Sequence, residues 1–571
     1  MTSFRVWAPQ ASAVALVLAD RELPMVAADQ GWWALDPPGL DDGADYGFRL
    51  DGADDVRPDP RSPWQPHGVH GRSRTVDHAA YAWNDNLWHG RPLAGSVLYE
   101  LHVGTFTPAG TFDGVAARLP YLVDLGVDAI ELLPVAATAG HRTWGYDGVG
   151  LFAVSEDYGG PTGLKNLVAA AHRAGIAVVL DVVYNHLGPS GNYLPEFGPY
   201  LGDAASPWGQ AVNLDGPGSD EVRRFVLDNA RQWFVDYHVD GLRLDAVHAL
   251  HDGRATHLLE ELAAETRALE RELGRPLWLI AESDRNDPTL VRSRDAHGYG
   301  LDAQWDDDVH HAIHATLTGE RQGYYADFGA LPTLAKALER AFVHDGTWSS
   351  FRGRHHGRPA GDLPGERFVV FLQDHDQVGN RARGDRISAS LPPGLLRVGA
   401  ALTLLSPFTP MLFMGEEWAA STPWQFFADP DSTELAAATR DGRRREFADH
   451  GWEPGDVPDP CDPATFDASR LDWSETDAPE HAAVLAWYRT LIAVRRRVHG
   501  GREATSVTWD DGWLVLRRAD VAVVCNLRPE RRVVPVDGTP VEVLAASAEG
   551  FVYAPGSVEL DGESVLVVRL S

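Results

Sequence analysis

The sequence predicts a multidomain α/β protein, in which a central (β/α)8 TIM barrel lies between an N-terminal immunoglobulin-like β-sandwich and a C-terminal antiparallel β domain. Eight short apolar runs alternate with amphipathic helical segments through the middle of the 571-residue chain. Continuous apolar strands covered by helices are typical of a parallel sheet, and eight of them fit a closed barrel. The two ends of the chain show short strand patterns separated by Gly, Pro and Asp turns, which favours antiparallel β structure.

The N-terminal part contains strand-like runs in FRVWAP, AVALVLA and DYGFRL, and Gly31-Trp32-Trp33 lies between two such runs. A Pro-rich polar stretch at residues 57–66, RPDPRSPWQP, is typical of a surface connector. We therefore predict a β domain over residues 1–92. Two interpretations of its Trp32, Trp33 and Trp64 stay open: they bind sugar rings, or they pack against the barrel.

The pattern changes near Ser96. The predicted barrel strands are SVLYELHVG (96–104), AIELLPV (129–135), AVVLDVVYNH (177–186), GLRLDAV (241–247), LWLIAES (277–283), LDAQW (301–305), RFVVFLQDHD (367–376) and MLFMGEE (411–417). Helices are expected at 113–124, 164–174, 221–237 and 257–273, and residues 183–210 read as an elaborated loop above the third strand. We predict the barrel domain at 93–498.

The tail alternates apolar and polar residues from Thr505 onward and contains Asp-Gly turns. This pattern predicts a small antiparallel β domain. We place that domain at residues 499–571.

The charge balance excludes two classes of partner. Lys and Arg number 50 against 82 Asp and Glu, which leaves a formal net charge of −32. Binders of nucleic acid and of anionic membranes need a positive field, so we expect neither partner. Only Cys461 and Cys525 are present, which excludes a disulfide framework. The N-terminus shows no secretory signal pattern and the longest apolar stretch is broken by prolines, so we expect a cytoplasmic protein.

Ionisable side chains end four of the predicted barrel strands. They are Asp181 and His186, Arg243 and Asp245, Glu282, and Asp374, His375 and Asp376. The carboxyl ends of barrel strands form the rim where active sites of this fold are built. A single strand-end carboxylate is more often a helix cap or a salt-bridge partner, but the set as a whole favours a catalytic site.

Three of these carboxylates, on Asp245, Glu282 and Asp376, are predicted to converge, and they repel one another unless one is protonated or a cation intervenes. Arg243 lies two residues before Asp245, on the same face of the strand, and supplies such a cation. An ionised carboxylate beside a protonated one is the arrangement that retaining glycoside hydrolysis uses. This chemistry needs neither a metal nor a cofactor, and we expect neither.

Four segments resemble the signature segments of the α-amylase superfamily, glycoside hydrolase family 13. They are DVVYNH (181–186), GLRLDAVH (241–248), Glu282 in IAESD, and FLQDHDQVGN (371–380), and TWGYDGVG (143–150) resembles a fifth, sugar-stacking segment. Longer blocks resemble the trehalose-releasing members of the superfamily, among them ELHVGTFTPAGTFDG (100–114), DAQWDDDVHHAIHATLTGERQGYYADFG (302–329) and GRRREF (442–447). The resemblance extends over nearly the whole chain.

The resemblance implies roles for individual residues. Asp245 matches the nucleophile, Glu282 the general acid/base, and Asp376 the third carboxylate. The implied substrate-binding residues are Tyr146, His186, Arg243, His248, Asp307, Asp308, His310, His311, His375, Gln377 and Asn380. Two departures from the superfamily pattern are Asp374, where Asn is usual and an extra negative charge is expected, and the segment SDRND after Glu282.

The resemblance implies hydrolysis of the α-1,4 bond next to the terminal trehalose of maltooligosyltrehalose. Its partners would be maltooligosyltrehalose and related α-glucans, trehalose as product, and a maltooligosyltrehalose synthase as a pathway link. Two alternatives stay open: a glycogen branching or debranching enzyme of the same superfamily, and a non-catalytic glucan-binding protein. His310, His311 and His314 have helical spacing that could suit a metal, but a hydrogen-bonding or helix-face role fits them better.

Overall fold

A computed structural model describes residues 3–19, 21–37, 42–206, 209–448 and 457–571. Two small antiparallel sheets form its N-terminal part. Their strands are β1 (Phe4–Trp7), β2 (Val14–Leu18), β3 (Glu22–Pro24), β4 (Val26–Ala27), β5 (Trp32–Leu35), β6 (Asp45–Leu50) and β7 (Ser73–Arg74). One sheet has the order β1-β5-β4 and the other β3-β2-β6-β7. Phe4 of one sheet packs edge-on against Tyr46 of the other, with ring centroids 4.8 Å apart, so the predicted β-sandwich is confirmed.

The segment Gly31-Trp32-Trp33, which we placed between two strands, leads into a strand of its own, β5. Trp7 pairs with Trp32 in the register of β1 and β5. Gly31 has a φ of 82°, and a Cβ there would lie 2.5 Å from the Cβ of Pro9. The strand escaped prediction because its four residues, WWAL, do not alternate between apolar and polar.

The tryptophans of this part contact protein groups. Trp32 and Trp33 are half-buried and pack against the main hydrophobic core. The indole N–H of Trp33 donates to the carbonyl of Ala8 at 3.2 Å, and that of Trp64 donates to Oε2 of Glu156 at 2.5 Å. These contacts favour the packing interpretation over the sugar-binding one.

A closed barrel of eight parallel strands forms the centre of the molecule. The strands of this region are β8 (Leu98–Leu101), β9 (Ala129–Leu132), β10 (Ala136–Thr138), β11 (Gly148–Val154), β12 (Ala177–Val182), β13 (Leu201–Ser206), β14 (Gly209–Val212), β15 (Gly241–Leu244), β16 (Trp278–Ala281), β17 (Ala303–Trp305), β18 (Thr347–Ser349), β19 (Arg354–His356), β20 (Phe368–Phe371) and β21 (Thr409–Phe413). The barrel order is β12-β15-β16-β17-β20-β21-β8-β9. All eight predicted barrel strands are therefore confirmed.

The barrel interior changes from apolar to ionisable along the strands. Leu98 and Val179 belong to a buried apolar cluster inside the barrel. Side chains two positions apart share a face of a strand, so Glu100 and Asp181 follow them upward on the inner face. The apolar layer thus supports a polar layer at the carboxyl end of the barrel.

Fourteen α-helices surround or cap the barrel in the described part of the chain. They are α1 (Val103–Phe106), α2 (Phe112–Ala116), α3 (Leu119–Leu125), α4 (Gly160–Arg173), α5 (Leu194–Phe197), α6 (Ser219–Asp236), α7 (Leu258–Leu273), α8 (Asp307–Thr318), α9 (Leu331–Arg340), α10 (His375–Gly379), α11 (Pro393–Leu405), α12 (Thr433–Ala448), α13 (Pro463–Ala468) and α14 (Pro479–Arg495). None of the described helices is long and apolar enough to cross a bilayer.

Two sequence expectations for this region need correction. The single helix predicted at 113–124 is two helices, α2 and α3, and Pro120 lies in the first turn of the second, where its missing N–H is tolerated. The loop predicted at 183–210 contains the short helix α5 and most of the antiparallel hairpin of β13 and β14. Gly- and Pro-rich composition signals irregular chain, but it does not report short paired strands within it.

The C-terminal part is wholly antiparallel, as predicted. Its strands are β22 (Thr505–Asp510), β23 (Trp513–Arg518), β24 (Val521–Asn526), β25 (Arg532–Pro535), β26 (Pro540–Ala546), β27 (Phe551–Ala554), β28 (Ser557–Leu560) and β29 (Ser564–Leu570). They form a five-stranded sheet of order β22-β23-β24-β29-β26 and a three-stranded sheet of order β25-β28-β27.

A buried charge network ties the connector that follows the sandwich to the amino end of the barrel. His172 of α4 lies between two carboxylates, with Nδ1 2.9 Å from Asp85 and Nε2 3.0 Å from Asp240. Its side chain is fully buried and stacks on Trp88, whose N–H donates to Asp240 at 2.7 Å. His238 also contacts Asp85, at 2.9 Å.

We expect His172→Gln to lower the free energy of unfolding by about 3–5 kcal/mol near pH 6, because breaking a buried ion pair leaves an uncompensated charge. Calorimetric melting at several pH values measures the change. His251→Gln, on an exposed residue, is the matched control and should leave Tm nearly unchanged.

The loss should depend on pH. Burial opposes the imidazolium, but the hydrogen bonds to Asp240 and Asp85 prevail and raise the pKa of His172. A raised pKa gives stability that is fully present below the unfolded pKa, about 6.5, and is lost as the pH rises through the folded pKa. Burial of Asp85 opposes ionisation, but contacts with His172 and His238 lower its pKa, so its contribution disappears on acidification. A loss equally large at pH 6 and at strongly alkaline pH would contradict this account.

Candidate active site

A cavity of about 530 Å³ opens at the carboxyl end of the barrel. Its lining combines ionisable and aromatic side chains: Trp144, Tyr146, Asp147, His186, Asp245, His248, Glu282, His375, Asp376, Asn380, Phe426, Phe427, Thr439 and Arg443, with Ala246. The three carboxylates that the sequence singled out thus lie around one cavity, as predicted from the ends of their strands.

The guanidinium of Arg243 holds two carboxylates and approaches a third. It donates from Nη1 to Oδ2 of Asp181 at 2.9 Å and to Oδ1 of Asp245 at 2.8 Å. Its Nη2 lies 3.8 Å from Oε2 of Glu282. The side chain is fully buried, and Trp305 lies under it with the ring centroid 4.4 Å away. Burial opposes the charged guanidinium, but these acids raise the pKa of Arg243 well above its usual range.

Strand register produces this grouping. Asp181 of β12 pairs with Arg243 of β15 in the parallel ladder, so the two side chains leave the sheet at one level. Asp245 comes one residue after β15 ends and lies on the face that Arg243 shares. Asn185 completes the support, because its Nδ2 donates to both Oδ2 and the backbone carbonyl of Asp245 at 2.8 Å.

A strained turn brings the next carboxylate to this group. Ala246 has a φ of 40° and a ψ of 50°, a left-handed conformation that non-glycine residues rarely adopt. Its N–H donates to Oε2 of Glu282 at 2.5 Å, and the N–H of Val247 donates to the Glu282 carbonyl at 3.0 Å. Such strain persists where the surroundings impose it, commonly at functional sites.

Glu282 is electrostatically unlike Asp245. Its carboxyl group is buried, and this burial raises its pKa to about 8, with repulsion from Asp245 and Asp307 adding to the shift while Arg243 opposes it. Asp245 instead accepts a direct hydrogen bond from the Arg243 guanidinium. The site therefore favours a proton on Glu282 at neutral pH.

A second hydrogen-bonded chain crosses the floor of the cavity. The hydroxyl of Tyr146 donates to Oδ2 of Asp181 at 2.6 Å and lies 2.8 Å from Nε2 of His375. Glu100 of β8 accepts both the backbone N–H of His375 at 2.9 Å and its Nδ1–H. Burial opposes the imidazolium, but Glu100 and Asp376 outweigh it and raise the pKa of His375 to about 10.

Glu100 escaped the sequence analysis. It lies in the middle of an apolar run, SVLYELHVG, and not at a strand end. A lone acidic residue among buried strand residues was the available signal, since charged residues are almost never fully buried without a partner. The sequence did not single out six further residues of the cavity wall: Trp144, Asp147, Phe426, Phe427, Thr439 and Arg443. Trp144 and Asp147 lie in the segment TWGYDGVG and Arg443 in GRRREF, but only tertiary structure shows that these side chains face the cavity.

Asp376 is the second residue of the short helix α10, and its environment differs from that of the other two acids. Its side chain is 43% exposed, with Oδ2 3.5 Å from Nε2 of His375. Asn380 donates from Nδ2 to the other oxygen, Oδ1, at 2.9 Å.

Asp374, the departure from the superfamily pattern, caps α10. It accepts the N–H of Gln377 at 2.6 Å and is almost fully buried. Burial and the neighbouring Glu100 raise the pKa of Asp374 well above its usual range. Burial therefore acts against the extra negative charge expected here.

Only some of the remaining predicted substrate contacts lie in the cavity wall. His186 and His248 line the cavity, and the first lies with Nε2 3.0 Å from the carbonyl of Tyr146. Burial lowers the pKa of both imidazoles. Asp307 is close enough to repel Glu282, and burial raises its own pKa to about 7.

The structure places Asp308, His310 and His311 behind the wall. Asp308 accepts 2.8 Å hydrogen bonds from the backbone of Val343 and His344. His310 and His311 pack among aromatic rings, and burial lowers their pKa well below its usual range. Gln377 follows Asp376 on α10 but is not part of the lining. Helical periodicity does not distinguish a cavity-facing side from a core-facing one.

The possible histidine metal site has no support in the described ranges. His314 is paired with Glu320, with Nε2 2.9 Å from Oε2. Among the residues that the structure describes, no three or more His, Cys, Asp or Glu side chains are grouped so that they could hold a metal ion.

Three family profiles match separate parts of the chain. The catalytic domain of the alpha amylases matches residues 43–198, and carbohydrate-binding module 48, the isoamylase N-terminal domain, matches residues 1–65. A domain of unknown function, DUF3459, matches residues 488–567.

Full-length relatives are more specific. The chain is 58% identical to a malto-oligosyltrehalose trehalohydrolase from Arthrobacter ramosus over 99% of both chains. It is 50% identical to one from Mycobacterium tuberculosis, covering 100% of this chain and 99% of the relative. A crystal structure from Salmonella typhimurium, of a protein described provisionally as an alpha amylase, superposes with a TM-score of 0.91 at 39% identity, covering 100% of this chain and 97% of that one. With its barrel, its three rim carboxylates and these relatives, the chain belongs to the malto-oligosyltrehalose trehalohydrolase family of α-amylase-type glycosidases.

Proposed function

We propose that the protein hydrolyses the α-1,4-glucosidic bond next to the terminal trehalose unit of maltooligosyltrehalose. The products are trehalose and a shortened maltooligosaccharide. Two kinds of evidence support this proposal. Full-length relatives at 50–58% identity are named malto-oligosyltrehalose trehalohydrolase, and three carboxylates line one cavity. The polar groups of the cavity would give specificity, because the correct sugar forms hydrogen bonds with them and an analogue leaves some of them without a partner.

The reaction proceeds in two displacements. Asp245 attacks the anomeric carbon as a carboxylate, which the guanidinium of Arg243 favours, and Glu282 gives its proton to the leaving oxygen. Trehalose departs with that proton. Glu282 then takes a proton from water, whose oxygen displaces Asp245 from the glycosyl-enzyme, so configuration at the anomeric carbon is retained.

The unequal contact of the two carboxyl groups with Arg243 is the observation that carries this mechanism. A nucleophile must be ionised while the acid must hold a proton at the same pH. The Arg243 guanidinium touches Asp245 at 2.8 Å but lies 3.8 Å from Glu282. This difference in distance lets neighbouring acids serve opposite functions.

We assign sugar contacts to most of the other predicted residues. We assign to Asp376 the hydroxyls of the ring next to the scissile bond and stabilisation of the positive transition state. Tyr146 offers a ring face for stacking, and His186 and His375 hydrogen-bond hydroxyls. For His248, Asp307, Gln377 and Asn380 we propose further substrate contacts, and for Asp308, His310 and His311 an indirect contribution from behind the wall.

The organisation and setting of the protein are also proposals. We place domain boundaries at residues 92/93 and 498/499, where the sheet content of the chain changes. The substrate requires a prior reaction that converts a reducing glucan end into a 1,1-linked unit, so a maltooligosyltrehalose synthase is the proposed pathway partner. Cys461 and Cys525 are unpaired, which suits a reducing cytoplasm.

Product analysis tests the substrate. Thin-layer chromatography of digests should show trehalose released from a short maltooligosyltrehalose, and no transfer to or hydrolysis of α-1,6 branch points in glycogen. Failure to release trehalose would sink the proposal, and new or cleaved branches in glycogen would favour the branching or debranching alternative.

The variants Glu282→Gln and Asp245→Asn should each lower kcat by at least about 10³-fold, because each removes a group that acts in the transition state. Steady-state assays and ligand binding by calorimetry measure the two effects separately. Glu480→Gln, at the exposed start of α14, is the control. Glucan binding without any turnover in the wild-type protein, unaltered in both variants, would instead indicate a non-catalytic binding protein.

The pH dependence of kcat/KM tests the assignment of Glu282 as the general acid. Because Glu282 must be protonated to donate and its pKa is raised to about 8, kcat/KM should fall as the pH rises through about 8. The alkaline limb should be absent from the residual activity of Glu282→Gln. An unchanged limb in that variant would assign the titration to another group.

A further inference from the structure

Helix α12 contributes an arginine to the cavity from outside the barrel. The helix follows the last barrel strand, and most of its side chains are exposed or half-exposed. Thr439 and Arg443 are four residues apart on one face of it, and both line the cavity. None of the strand-end segments that carry the proposed chemistry includes this helix.

Arg443 reaches the end of the helix that carries the third carboxylate. Its Nη2 donates to the carbonyl of Gly379 at 2.6 Å, and its Nη1 donates to Oδ1 of Asn380 at 3.3 Å. The guanidinium also lies over the rings of Phe426 and Phe447, 5.2 Å and 4.6 Å from their centroids. These contacts hold the cation against the C-terminal end of α10, where helix carbonyls favour positive charge.

The chemistry of the three side chains determines the orientation of the amide. A guanidinium has donors only and a carboxylate has acceptors only, whereas the Asn carboxamide has one of each. Asn380 therefore turns its oxygen toward Arg443 and its NH₂ toward Asp376, to which it donates at 2.9 Å. Without the guanidinium, nothing in this pair of contacts prevents the amide from turning its oxygen toward the carboxylate.

Of the three acids, Asp376 is the most exposed, so a hydrogen bond such as the one from Asn380 matters most for its orientation. Its side chain is 43% exposed, and its contact to His375 is 3.5 Å long. The side chains of Asp245 and Glu282 are 12% and 16% exposed and lie by the buried Arg243. The hydrogen bond from Asn380, at 2.9 Å, is thus a closer contact for Asp376 than the one with His375.

We propose that Arg443 is a positioning residue that orients Asp376 through Asn380, so that α12 completes the geometry of the third carboxylate. This inference rests on the proposed function, since it assumes that Asp376 contributes to the transition state. Misplacing a group by about 1 Å can cost about 10²-fold in rate. Loss of the guanidinium should therefore appear in kcat more than in KM.

The experiment is a double-mutant cycle on hydrolysis of maltooligosyltrehalose. Arg443→Gln should lower kcat by about 10- to 100-fold with a much smaller change in KM, and Arg443→Lys, which keeps a cationic donor, should recover part of the loss. In an Asn380→Ala background, Arg443→Gln should have little further effect, because residues that act in series are not additive. Arg444→Gln, on an exposed neighbour in the same helix, is the matched control.

Other outcomes overturn the inference. Fully additive losses from Arg443→Gln and Asn380→Ala would show that Arg443 acts independently of Asn380. A change confined to KM would indicate direct sugar binding by Arg443. A lowered Tm in Arg443→Gln, with normal kcat per folded molecule, would indicate a structural role only. Asp376→Asn separates this from the proposed function: if that variant keeps full activity, the assignment of Asp376 fails whatever Arg443 does.

Discussion

The buried guanidinium of Arg243 is the constraint around which the candidate site is built. Taking a charge out of water is costly unless it is paired and hydrogen-bonded, and this cation meets Asp181 and Asp245 within 2.9 Å. The acids in turn would repel one another without it. Cation and anions therefore require each other, and removal of either would leave uncompensated charge at the carboxyl end of the barrel.

The same cation creates the difference between the two acids that the mechanism needs. It contacts Asp245 directly and remains 3.8 Å from Glu282, whose burial raises its pKa to about 8. The left-handed Ala246 lies between them in the chain and holds Glu282 by a backbone hydrogen bond. A small difference in distance to one guanidinium thus gives the proposed nucleophile and the proposed proton donor unlike surroundings.

Further polar side chains lie below and beside Asp245 and Glu282. Glu100 and His375 form a buried pair, and Nε2 of His375 lies 2.8 Å from the Tyr146 hydroxyl. On the other side, Asn380 at the end of α10 donates to the half-exposed Asp376, and Arg443 of the outer helix α12 donates to Asn380. The carboxylate of Glu100 therefore lies within the barrel, where it and His375 are almost fully buried. Asp376 is 43% exposed, and the helix that approaches it through Asn380 lies outside the barrel.

Local sequence was sufficient for the barrel strands and the rim carboxylates. Apolar runs with abrupt ionisable endings identify both the strand and the edge at which its side chains emerge, because strand periodicity is a local property. It was insufficient for β5, whose residues WWAL lack alternation, and for the hairpin within 183–210. It also failed for the sides of α8, since Asp308 and His310 show the same helical spacing whether they face the cavity or the core.

By itself, the sequence determined the type of chemistry: three carboxylates and an arginine at strand ends, in an order that matches one superfamily. Only the tertiary structure decided which groups touch, which acid contacts the guanidinium directly and which residues form the cavity wall. Glu100 and Arg443 reach the site from a strand interior and from a helix more than sixty residues beyond Asp376. Contacts between residues so distant in the chain depend on packing and strand register, and neither is encoded in any local pattern of residues.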